Sequence, residues 1–114
     1  MIESVVAEVL FMGTEAETSG LEAFNVVKDR EGLNDDDATV ARTTGILIQL
    51  IKDEMIEVWL GDPNSREPAC RPGDPVSSQM ITPERLLTMD EPDGRMLVYE
   101  TTERGENALR DIWV

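Results

Sequence analysis

The sequence predicts a mainly α-helical domain completed by a small β element, an α+β fold. Three observations carry that expectation. Apolar residues recur at helical spacing in three segments before residue 54, two short runs at 55–60 and 96–100 read as strands, and the last dozen residues form another amphipathic segment. At 114 residues the chain has the size of one domain, able to bury a core without disulfide or metal staples. The expected organisation is therefore a single domain over residues 1–114, interrupted by an irregular Pro/Gly-rich insertion over about 61–90.

Each element has its own signal. From Ile2 to Met12, the positions of Val5, Val6, Val9, Leu10 and Phe11 predict a first helix ending at Gly13, and the small polar residues from Thr14 to Gly20 predict a turn. Ser19 followed by Glu22 matches a capping box, in which each side chain satisfies a backbone amide at a new helix start. A second helix is expected over Leu21 to Glu31, with Leu21, Phe24, Val27 and Val26 inward and Gly32 as its stop. Asn34 and the run Asp35, Asp36, Asp37 supply a cap and negative charge for a third helix over Asp35 to Glu54. Val40, Leu47, Leu50 and Ile51 face inward on that reading, and the nearly all-apolar run Ile46 to Ile51 puts this helix at the centre of the core. Met55 to Leu60 is expected as a strand. Thr82 and Pro83 then predict a short helix through Met89, EPDGR a tight turn, MLVYE a strand, and the segment from Thr102 a last helix carrying Ala108, Leu109, Ile112 and Trp113.

Three helices followed by strand, turn and strand resemble the winged-helix fold. The segment ILIQLIKDEMIEVWL, residues 46–60, resembles the end of a recognition helix running into the first wing strand of MarR- and PadR-type regulators. LVYETTERGENALRDI, residues 97–112, is similar to the segment that closes the wing in those families. The chain also resembles short acidic bacterial winged-helix-like proteins of unassigned function. The resemblance implies three N-terminal helices, two or three short strands and a C-terminal helix, and carries no activity with it. The insertion between the candidate wing strands and the charge both depart from the regulators.

Ten basic and 24 acidic residues give a formal net charge of −14 and a pI near 4.1. A field of that sign speeds capture of basic partners and repels phosphate backbones. In helix-turn-helix recognition the start of the recognition helix meets base edges. Here that position holds Asp35, Asp36 and Asp37, and the expected wing tip holds Asp90, Glu91 and Asp93. These six carboxylates are the candidate contacts to a basic protein. DNA binding as a dimeric winged-helix regulator is the alternative, resting on Arg42, Gln49, Lys52 and Arg95, and a homodimer would alter its geometry but not the sign of the field. A third reading is an inert accessory domain of an acidic proteome, its charge a solvated surface.

Catalysis is not expected. With no histidine, the chain lacks the commonest general acid/base and metal ligand. Cys70, the single cysteine, has no imidazole to activate it, and its flanking Arg66 and Arg71 leave it a plain loop thiol. Gly61, Gly73 and Gly94 form no phosphate-cradling loop. The consecutive Asp35–Asp37 run lacks the alternate spacing of a calcium loop, and two Trp, two Phe and one Tyr are too few to line a glycosidase cleft. No cofactor and no metal are therefore expected. The single cysteine fits a cytoplasmic location, and the N-terminal stretch, which carries Glu3 and Glu8 and is too short to span a bilayer, predicts no membrane contact. The predicted function is a non-catalytic acidic protein-binding module, of immunity or inhibitor type, that masks the basic surface of a nucleic-acid-processing partner. Trp59, Met80 and Met89 are candidate apolar anchors.

Overall fold

The first helix passes through the glycine expected to end it. In the computed structural model, which describes residues 3–16, 18–61, 81–87 and 96–113, helix α1 spans Ser4–Glu15. Gly13 is buried inside it, where an added Cβ would overlap Thr101 Oγ1 and come within 3.0 Å of Tyr99 Cε2. The residue is small because α1 lies directly on a strand, and helix termination is not its role.

That strand is β3 (Met96–Thr101), the centre of a three-stranded antiparallel sheet of order β1-β3-β2. β2 (Ile56–Gly61) pairs with it from Ile56 opposite Thr101 to Gly61 opposite Met96. β1 is only Thr18–Ser19, opposite Tyr99 and Val98, and it lies inside the segment expected as a turn. Two residues are too few to show the alternation by which a strand is read from sequence.

Ser19 leaves β1 and caps helix α2 (Gly20–Glu31) with the expected box: Glu22 N donates to Ser19 Oγ at 3.2 Å, and Ser19 N donates to Glu22 Oε2 at 2.8 Å. Ser19→Ala is expected to cost ~1 kcal/mol, read as a fall in Tm by thermal denaturation. Phe24 and Val27 are buried while Leu21 and Val26 are half-buried. Gly32, at φ 62°, closes the helix, and Leu33 N donates back to Lys28 O at 3.1 Å.

Helix α3 runs Asp36–Lys52, shorter at both ends than its apolar pattern suggests. Leu47, Leu50 and Ile51 are buried as expected, but Val40 is half-buried because Thr39 and Thr43 hold the inward positions of the first turns. Each threonine becomes compatible with burial by donating its hydroxyl within the helix, Thr39 Oγ1 to Asp35 O at 2.9 Å and Thr43 Oγ1 to Thr39 O at 2.8 Å. At the far end Met55 N donates to Leu50 O and Glu54 N to Ile51 O, a Schellman closure with Glu54 in the left-handed region at φ 60°. Glycine is the usual residue there. The strain on Glu54 is offset by Thr102 Oγ1, which donates to Glu54 O at 2.7 Å, and by Arg104, whose Nη1 lies 3.3 Å from Glu54 Oε2.

The short helix α4 (Pro83–Leu87) has Thr82 at its start, its Oγ1 accepting from Arg85 N at 3.4 Å, and buries Leu86 between α2 and the sheet. Helix α5 (Glu103–Trp113) is capped by Thr102, whose Oγ1 accepts from Gly105 N at 3.3 Å, and buries Leu109. The architecture is therefore α+β, mostly helical, with one small antiparallel sheet. The core joins Val9 and Leu10 of α1, Val27 of α2, Leu47 of α3, Ile56 and Val58 of β2 and Tyr99 of β3. Tyr99 is 1% exposed, and its hydroxyl donates to Val9 O at 2.7 Å. Burial, reinforced by the charge of Glu22, pushes the phenol's pKa well up from its ordinary value.

Candidate interaction surface

The three aspartates at the start of α3 fan out into three different roles. Asp35 Oδ1 accepts from Asp37 N at 3.0 Å and caps the helix. Asp36 Oδ1 lies 3.0 Å from Lys28 Nζ. Asp37 is exposed, and among the described residues no cation pairs with it. All three sit on the solvent side, where two of them favour the positive end of the helix dipole.

The cations nearby are held by the protein itself. Arg42 Nε donates to Glu31 Oε1 at 2.9 Å and its Nη2 to Glu3 Oε2 at 2.5 Å, so one guanidinium ties α3 to the end of α2 and the residue preceding α1. These hydrogen bonds, first that of Glu31, outweigh partial desolvation and hold the Arg42 pKa above its ordinary value. Arg30 on α2 pairs with Glu8 on α1, and Lys28 also lies 6.0 Å from the Phe24 ring centre. Such half-exposed pairs contribute little to stability, but they cancel the positive charge that a phosphate would need.

Of the residues assigned to DNA, Gln49 donates its amide to both oxygens of Asp53 at 3.2 Å, and Lys52 is exposed. Arg42 and Gln49 do share a feature that sequence reasoning missed. Together with Glu3, Val6, Gly45, Ile46, Leu50, Asp53 and Met55 they line a groove of about 430 Å³ between α1 and α3, and Lys52 is not part of it. Val6 and Met55 are half-buried there, while Ile46 and Leu50 belong to the core and reach the groove only at its floor. Asp90, Glu91, Asp93, Arg95, Cys70, Met80 and Met89 lie outside the described residues, as does most of the expected insertion. Trp59 is placed in β2, opposite Val98.

Among the described residues no group of three or more acidic or cysteine side chains could hold a metal ion, and no helix is long and apolar enough to cross a membrane. No protein-family model, no curated protein and no solved structure matches the chain.

Proposed function

We propose that the chain is a non-catalytic, acidic protein-binding module of winged-helix-like architecture that masks the basic surface of a nucleic-acid-processing partner. The order helix, strand, helix, helix, strand, short helix, strand, helix, with the last strand central in the sheet, supports the architectural part of this reading, α4 falling in the insertion between the two candidate wing strands. The observation that carries the functional part is electrostatic. The start of α3, which a helix-turn-helix protein would turn toward base edges, presents Asp35, Asp36 and Asp37 to solvent, while Lys28, Arg30 and Arg42 beside it are neutralised by Asp36, Glu8, Glu3 and Glu31. With a net charge of −14 behind it, that surface attracts lysine- and arginine-rich faces over distances set by ionic strength. Blockade of the partner is steric and needs no reacting group in this chain.

Fluorescence anisotropy with a labelled 20-base-pair duplex, from low to physiological salt, tests the choice of partner class. The expected outcome is no saturable binding at any salt concentration. Binding at low salt that is lost in Arg42→Ala would replace this reading with a DNA-binding regulator.

A further inference from the structure

The charge of −14 acts on the fold as well as on partners. The folded chain has a radius of gyration of 13.1 Å, against about 34 Å for an unfolded chain of this length. Unfolding therefore more than doubles the mean distance between carboxylates and relieves their repulsion. Salt decides how much of that repulsion is felt. At about 10 mM ionic strength the screening length is ~30 Å, longer than the folded radius, so every carboxylate repels every other; at about 1 M it is ~3 Å, and only neighbours interact.

Two helix ends concentrate the effect. Helix α1 finishes on the exposed Glu15 with no basic residue in its last turn, and its closing bond, from Ala16 N to Met12 O, is 3.4 Å long. A carboxylate there faces the negative end of the helix dipole. Helix α3 closes on Asp53, which accepts from the Gln49 amide and pairs with no cation among the described residues, and Glu54 follows it in the left-handed region. Lys52, exposed, is the basic residue of that last turn. Helix α2 is the contrast. It too ends on a carboxylate, but Lys28 and Arg30 stand in its last turn, Gly32 closes it, and Glu31 is bonded to Arg42.

We propose that the fold is gated by ionic strength: low salt loosens the C-terminal ends of α1 and α3, and counter-charge closes them. Both ends are joints of the sheet. Glu15 stands three residues before Thr18 of β1, and Met55, between α3 and β2, accepts from Thr102 N at the start of α5 at 2.9 Å. Loosening there frees both edge strands from the helices that precede them. Salt alone supplies the counter-charge, so the device operates whatever partner the chain has.

The test uses the full chain alone at neutral pH, from about 10 mM to about 1 M potassium chloride, with Tm read by circular dichroism and amide exchange by mass spectrometry. Tm should rise by roughly 10 °C or more over that range. Choline chloride should act as potassium chloride does, because screening needs no particular cation. Amides of residues 12–16 and 50–55 should exchange several-fold faster at the low-salt end than at the high, while those of residues 28–33 change much less. Glu15→Gln and Asp53→Asn should each raise Tm at low salt and lose that effect at about 1 M. Asp37→Asn removes the same charge from the favourable end of α3 and should gain less. A Tm that is flat or falls with salt, or that rises with potassium but not with choline, overturns the gating. Equal gains from all three variants, or uniform change in exchange, overturns its placement at the two helix ends.

Discussion

Gly105→Ala should lower Tm by about 10 °C or more, corresponding to about 3 kcal/mol of lost stability. An added Cβ would overlap Met55 O, a backbone atom, and stand 2.6 Å from Thr101 Cγ2 and 3.3 Å from Leu10 Cδ2. None of these neighbours can yield cheaply. Met55 O already accepts from Thr102 N at 2.9 Å, so moving it breaks the junction between the end of α3 and the start of α5. Thr101 is fixed because its Oγ1 donates to Leu10 O at 2.7 Å. The relief would be a shift of α5 away from β3, exposing Leu109. Gly45→Ala is the matching control at an open position, and there the same methyl group should raise Tm, because it brings helix propensity and meets no neighbour. Differential scanning calorimetry on the two variants checks both signs.

The second large effect appears in alkali. Tyr99 is the only tyrosine, so tyrosinate absorbance reports that side chain alone. Burial raises its folded-state pKa above the unfolded value near 10, so the folded state keeps its proton where the unfolded chain has lost it. The stability from neutral Tyr99 is therefore complete below about pH 10 and declines above it by ~1.4 kcal/mol per pH unit. Tyrosinate absorbance should rise together with the loss of helical circular dichroism, as one transition. Independent ionisation of a native domain near pH 10 would contradict the burial and the bond to Val9 O. Tyr99→Phe should remove the alkaline transition at a cost of about 1 kcal/mol at neutral pH, the value of one hydrogen bond and its orphaned carbonyl.

Local chemistry makes the helix ends legible in the sequence itself. The Ser19–Glu22 box, Gly32 and the Asp35 cap all declare themselves through side chains or turns that bond backbone a few residues away. Long-range needs are not legible in that way. Gly13 reads as a stop because the reason for its size, Tyr99 and Thr101, lies nearly 90 residues downstream. Nothing in the sequence marks Thr39 and Thr43 as buried, because the internal acceptors that allow their burial leave no sequence signature. The same limit applies to the surface. The charge of Asp35–Asp37 can be read directly, but the pairing of Arg42 with both Glu3 and Glu31 needs three elements brought together. The groove needs two helices, and only Gly45 hints at it.

On the function proposed above, the exposed start of α3 recruits a basic protein. This recruitment is tested by passing one cell extract, with and without nuclease treatment, over immobilised wild-type protein and over the Asp37→Lys variant at physiological salt, with quantitative mass spectrometry of what each retains. Asp37 is the residue to reverse because it neither caps α3 nor pairs with a cation among the described residues, so its substitution leaves the fold intact. A basic protein should be retained by the wild type, released by salt, and depleted at least tenfold on the variant. Identical retention on both, or retention that vanishes with nuclease treatment, would contradict it.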